Sequence, residues 1–247
     1  MRRCAVLAGW VLFCTWTLVE PVRAEVALRL TPAETTPGTE VRVSWQADEA
    51  TGVFLSGFGA VETSGSRTFQ AKQSQTFVLV AEGPAGIRMA SEHLEVRGGK
   101  GEDSLPRPAD FRSPLRQRLT VVTVDSFTAL CDRIQDVLQD ELKFTVTAYQ
   151  IPREKFVFLT EPSIRPGLVL PDDKKEKIRE RRLAYLIEIS LPGALPAEVQ
   201  VTIQTWMQFR KIIKETWQTE GNAELHRQEA ERLRQRIIAA SAQRRQP

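Results

Sequence analysis

Leu183-Ala184-Tyr185-Leu186-Ile187-Glu188-Ile189-Ser190-Leu191 and Val199-Gln200-Val201-Thr202-Ile203-Gln204-Thr205-Trp206-Met207 set the architecture of the second half of this chain. Leu183, Tyr185, Ile187, Ile189 and Leu191 recur at every second position, as do Val199, Val201, Ile203, Thr205 and Met207. That is the period of a β-strand with one buried face. Pro192-Gly193 opens the connection between the runs, which predicts an antiparallel hairpin. Upstream, Leu119 to Val124 reads as a strand, and Asp125 as the cap of a helix carrying Phe127, Leu130, Cys131, Ile134, Val137 and Leu138 on one stripe. Phe144, Val146 and Ala148 return to period two, and Lys155 to Thr160 makes a further strand. A last helix is expected from about Asn222 to Ala240, with Leu225, Leu233 and Ile237 on one face. The order β-α-β-β-β-β-α over residues 118–243 predicts an α+β domain, an antiparallel sheet with helices on one face. Residues 244–247 form a short tail.

Residues 25–97 have a different grain. Val26, Leu28 and Leu30 alternate, Val41, Val43 and Trp45 alternate again, and Val53 to Leu55 and Thr76 to Ala81 are further apolar runs. Turn clusters at Thr35–Thr39 and Gly83–Gly86 separate them, and about seven short strands at this spacing predict an all-β sandwich. Between the halves, residues 98–117 hold Gly98, Gly99, Gly101, Pro106, Pro108 and Pro114 among charged side chains. That composition reads as a linker, which leaves the halves free to move unless they share an interface.

The chain opens with Arg2 and Arg3, an apolar run from Cys4 to Val19, then Glu20, Pro21 and Val22-Arg23-Ala24. This is the layout of a secretory signal peptide over residues 1–24, cleaved after Ala24. The alternative, a membrane anchor, needs about 20 apolar residues rather than about 16. A lipobox at Cys14 is disfavoured by Phe13 before it. The product is expected in the periplasm or otherwise exported, with no transmembrane segment after cleavage. Removing the leader takes Cys4 and Cys14 and leaves only Cys131, so no internal disulfide forms. The net charge of +3 falls to about +1, which gives no electrostatic reason to expect a nucleic acid partner.

Val43-Ser44-Trp45, Gly57-Phe58-Gly59-Ala60-Val61 leading to Ser64-Gly65-Ser66, and Gln75-Thr76-Phe77-Val78-Leu79-Val80-Ala81-Glu82-Gly83 carry a resemblance. The segment resembles the short immunoglobulin-like modules of exported bacterial proteins. The resemblance implies that Trp45 packs between two sheets and that the Gly-rich stretch turns a corner. Ser126-Phe127-Thr128-Ala129-Leu130, Phe156-Val157-Phe158-Leu159-Thr160, the alternating pair, and Trp217 ahead of Glu224-Leu225 and Leu233 are similar to the helix-grip domains of outer-membrane assembly lipoproteins. That similarity implies a role in envelope assembly. The chain departs from the pattern in lacking a lipobox.

Chemistry-bearing residues are sparse. His93 and His226 fall in different halves, which with one cysteine is too few for a zinc cage, and no metal or cofactor is expected. Cys131, between Leu130 and Ile134 on an apolar stripe, is expected to be buried, which argues against a Cys131–His226 dyad. Asp132, Asp136 and Asp140, opposite that stripe, are expected on a solvated face. Gly98-Gly99-Lys100-Gly101 lacks the strand and helix of a phosphate loop. Lys174, Lys175, Lys177, Arg179, Arg181 and Arg182, interleaved with acids, read as a basic loop over 172–182 that is either simply solvated or touches anionic envelope lipid or polymer. Trp206 is the one large aromatic on the otherwise polar face of Gln200, Thr202, Gln204 and Gln208, and exposed tryptophans anchor protein interfaces. The expected function is therefore a non-enzymatic interaction or assembly module of the bacterial envelope, meeting a protein partner through Trp206 and the basic loop. A periplasmic carrier of a lipid or other apolar ligand is the alternative, and a carboxylate-based cell-wall hydrolase is third.

Overall fold

The computed structural model describes residues 25–98, 119–124, 126–151, 155–164, 178–192, 195–211 and 217–243. The leader (1–24), the tail (244–247) and the linker apart from Gly98 lie outside the described residues. The described residues are mainly β-sheet, in three sheets with two helices.

The N-terminal half builds two of the sheets. One has the order β1 (Val26–Thr31), β3 (Glu40–Ala47), β6 (Ser64–Gln70). The other has the order β2 (Glu34–Thr35), β8 (Gly86–Val96), β7 (Gln75–Gly83), β4 (Gly52–Leu55), β5 (Gly59–Ala60). A hydrophobic cluster draws on both: Leu28, Val41, Val43 and Trp45 from the first, Leu55, Phe77, Leu79 and Leu94 from the second. Trp45 is buried there and donates its indole Nε1–H to the Glu62 carbonyl at 2.9 Å. Gly65 is required beside it, since a Cβ at that position would stand 2.8 Å from the indole ring.

In the C-terminal half, one seven-stranded antiparallel sheet runs β10 (Val146–Ile151), β11 (Lys155–Thr160), β13 (Ile178–Ser190), β14 (Ala197–Lys211), β15 (Gln218–Thr219). In addition β12 (Ser163–Ile164) pairs with β13, and β9 (Leu119–Val124) with β14. The expected hairpin is present, with Leu183 opposite Met207, Tyr185 opposite Thr205 and Ile187 opposite Ile203. Two helices, α1 (Phe127–Asp136, continued by a π-turn at Val137–Glu141) and α2 (Ala223–Gln243), cover the face that carries Leu183, Tyr185, Ile187, Val199, Val201 and Ile203. Asn222 caps α2, its Oδ1 accepting from the Glu224 and Leu225 amides. Asp125 lies outside the described residues, and the cap of α1 is Ser126, whose Oγ accepts from the Ala129 amide.

The two halves share a core. β7 is buried along both faces: Phe77, Leu79 and Ala81 turn toward the three-stranded sheet, while Val78 and Val80 join the cluster around α1. Phe54 of β4 reaches into the same cluster and meets Phe156 and Phe158 of β11 edge to face, at 6.0 and 6.1 Å between centroids. A polar stripe on α1, Thr128, Asp132 and Gln135 at helical spacing, completes the junction. Gln135 Oε1 accepts the Gly57 amide and Asp132 Oδ1 the Ala60 amide, both at 2.8 Å. The Asp132 side of α1, expected to be solvated, is therefore covered: Asp132 is only 8% exposed, because the N-terminal half closes over it. Asp140 does remain exposed.

Glu82, at the end of β7, docks on the first turn of α1. Its Oε2 accepts from Ser126 Oγ (2.9 Å), the Phe127 amide (2.8 Å), the Thr128 amide (3.1 Å) and Thr128 Oγ1 (3.2 Å). A carboxylate there satisfies helix N–H groups that have no partner within the helix and complements the positive end of its dipole.

Candidate interaction surface

The face of the large sheet opposite the helices is built from alternate residues of three strands. Arg182, Ala184, Leu186 and Glu188 on β13 stand opposite Gln208, Trp206, Gln204 and Thr202 on β14. Val157 and Leu159 of β11 adjoin them. Val157, Leu159, Ala184 and Leu186 form a small buried cluster, and Trp206 packs against it half-buried. Trp206 is thus on the face expected of it, but its ring rests on apolar side chains instead of standing free.

Two aromatic rings and two guanidinium groups interleave beside this cluster. The Arg182 guanidinium lies 5.3 Å from the centroid of Trp206 and 4.6 Å from that of Trp217, and the Arg210 guanidinium is 5.2 Å from Trp217 on its own side. Arg182 Nε also donates to Gln208 Oε1 at 2.9 Å, and Arg210 pairs with Glu180. Burial lowers the proton affinity of Arg182; a guanidinium stays charged regardless and, being weakly hydrated, suits stacking on indole. Each cation–π contact contributes about 0.5–2 kcal/mol, depending on how far it is removed from water. The arrangement is an aromatic and cationic patch on the sheet, with the Glu180 carboxylate paired to Arg210 beside it.

Of the basic residues expected at this surface, the structure brings Arg182 to Trp206. Arg181 is a correction. It is 2% exposed and turns to the other side of β13, where its Nε meets Glu220 at 3.2 Å. Residues 178–182 are strand, so alternation sends neighbouring arginines to opposite faces. Lys174, Lys175 and Lys177 lie outside the described residues, as does the side chain of Arg179. Sequence reasoning missed Trp217 and Arg210. Arg210 has the parity of Trp206 and Gln208 on β14, a signal that was available; Trp217 comes through a connection no periodicity describes.

The described cysteine is buried and both histidines are hydrogen-bonded. Cys131 is fully buried, and burial pushes its thiol well above the usual value, with the Asp132 and Glu82 carboxylates adding to the effect. His226 is buried with Nδ1 at 2.7 Å from Thr205 Oγ1 and Nε2 at 3.1 Å from the Glu220 carbonyl, so neither ring nitrogen is available to a thiol. His93 shares a hydrogen bond with Thr76. Among the described residues no group of three His, Cys, Asp or Glu side chains could hold a metal ion, and no helix is long and apolar enough to cross a membrane. No protein-family model matches the chain, and no curated protein matches it.

Proposed function

We propose that this protein is an exported, non-enzymatic binding module of the bacterial envelope that engages a protein partner through the patch of Trp206, Arg182, Trp217 and Arg210. In this reading the N-terminal half is an immunoglobulin-like sandwich and the C-terminal half a helix-grip-like domain, with the sandwich bracing the domain that binds. The observation that carries the reading is the interleaving of two indoles with two guanidinium groups on an outer sheet face. Tryptophan and arginine are the residue types most enriched where interfaces concentrate their energy. Holding them by mutual stacking and by Gln208 removes rotamer freedom before binding, which lowers the entropic cost of association. The charge of the patch favours an acidic partner surface.

Among the described residues, the contact between α1 and the sheet is packed with side chains. Phe127, Leu130, Ile134 and Leu138 of α1 are fully buried with Phe156, Phe158 and Ile187 of the sheet. Binding on the outer face is therefore placed ahead of enclosure.

The test is cross-linking and recovery from native envelopes with the tagged protein beside Trp206→Ala and Arg182→Glu variants. A defined envelope protein recovered with the wild type and lost with both variants is the expected result. Equal recovery by all three would sink the assignment to this patch.

A further inference from the structure

A cleft of about 300 Å³ opens where the turn between β7 and β8 meets the tip of the β13–β14 hairpin. Glu82 and Thr51 line it together with Ile87, Leu195, Pro84 and Pro192. The hairpin pairs from Ile178 and Lys211 at one end to Ile189 and Val201 at the other, so the cleft lies at the far end from Arg182 and Arg210.

Glu82 is only 9% exposed, and every hydrogen bond to its side chain falls on Oε2. Oε1 receives no donor, yet it is not sealed from solvent. Since the residue is otherwise enclosed and lines the cleft, that oxygen opens into it. The four bonds to Oε2 fix the side chain, so Oε1 is in place before anything binds and little rotamer freedom is left to lose. Thr51 Oγ1 donates to the Glu82 carbonyl at 3.2 Å, which leaves its lone pairs as acceptors. Ile87 and Leu195 are half-buried apolar walls that pack on the main cluster. Among the described residues that line the cleft, no side chain is basic.

The free oxygen selects what can bind. A calcium ion takes six or more oxygen ligands, several of them carboxylates, and no acidic group of that kind occurs among the described residues. A guanidinium is held best by both oxygens of a carboxylate in parallel, and here one of them is taken. An ammonium is a compact point charge with three rotatable donors, which single acceptors satisfy. Apolar walls below a charged oxygen fit an alkyl stem carrying a charged head.

We propose that this cleft binds a primary alkylammonium, the head group of a lysine side chain or of a free aliphatic amine. The ammonium donates to Glu82 Oε1 and Thr51 Oγ1, and its methylene stem lies against Ile87 and Leu195. The site stands independently of the function proposed for the Trp206 patch.

The test titrates the isotope-labelled full chain at neutral pH with n-butylammonium, n-butylguanidinium or n-butanol and follows the amide resonances of Gly83, Gly86 and Ile87. Saturation by the ammonium with Kd on the order of 1 mM, at least about fivefold tighter than by the guanidinium, is the expected result. Butanol is expected to leave the resonances in place. Two variants check the assignment. Glu82→Gln keeps an acceptor for α1 and removes the charge, while Ala85→Lys, at an exposed position on the cleft rim, brings a tethered ammonium that competes for Glu82. Each is expected to weaken binding about tenfold or more. Nα-acetyl-lysine methylamide separates the two sources. Affinity equal to or above that of butylammonium assigns the cleft to a lysine of a partner chain, and lower affinity assigns it to a free amine. No saturation up to about 30 mM butylammonium, equal affinity for the guanidinium, or unchanged affinity in the folded Ala85→Lys protein overturns the proposal.

Discussion

At the scale of single residues, Glu82 and Cys131 show how position sets what a common side chain does. Glu82 is one acid among 31 in the chain, yet four donors at the start of α1 converge on one of its oxygens. Glu82→Ala leaves those donors buried without a partner, and a loss of about 3 kcal/mol is expected from urea unfolding. Glu82→Gln keeps an acceptor but no charge and is expected to cost about half of that. Equal losses for the two variants would mean that the charge contributes nothing. Cys131 makes a pH-dependent prediction. In the unfolded chain its thiol ionises near pH 8.5, while in the fold burial holds the proton to much higher pH. Between the two the folded state holds the extra proton, so stability is full below pH ~8.5 and falls as pH rises, by up to ~1.4 kcal/mol per unit. Cys131→Ala removes this slope. Urea midpoints at several pH values above 8, compared between wild type and variant, measure the difference.

At the scale of elements, α1 and β13 mark where the sequence was legible and where it was not. The apolar stripe of α1 and the alternation of β13 and β14 are local periodicities, and they placed the helix, the hairpin and its buried face correctly. Periodicity cannot report what covers the other side. Asp132, Asp136 and Asp140 read as a solvated face because nothing in a helical repeat reveals the second layer that covers Asp132. Close approach did leave a trace. Gly59 has φ of +79°, and a Cβ there would lie 2.8 Å from Asp132 Oδ1. Gly59→Ala combines an unfavourable backbone region with that clash, and a destabilisation of about 1–3 kcal/mol is expected from thermal or urea unfolding. A variant as stable as wild type would show that α1 can withdraw from β5 at little cost. On β13, the run of charges at 179–182 concealed a strand, and its parity divides Arg181 from Arg182. The candidate patch was therefore half readable: Trp206 from alternation, Arg182 only as a member of a basic loop, and Trp217 only from the folded chain.

At the scale of the whole molecule, the linker composition anticipated two parts able to move unless they share an interface, and one of the three hydrophobic clusters draws on both halves. Phe54 belongs by sequence to the N-terminal half and by packing to the C-terminal half. Phe54→Ala is expected to cost about 3–5 kcal/mol. Because the cluster is common, hydrogen exchange in β3 and in β13 should quicken together, and unfolding followed by amides of either half should give coincident transitions. Separate transitions would show that the contact is incidental to stability. The double-sided burial of β7 also has a bearing on how the protein comes into being. A chain made from its N-terminus completes β4 and β7 well before α1 exists, so Phe54, Val78 and Val80 form an uncovered apolar surface on the nascent protein. During that interval the first half is a client for whatever shields exposed hydrophobic surface in its compartment. In the finished fold α1 covers that surface, with its first turn held on Glu82.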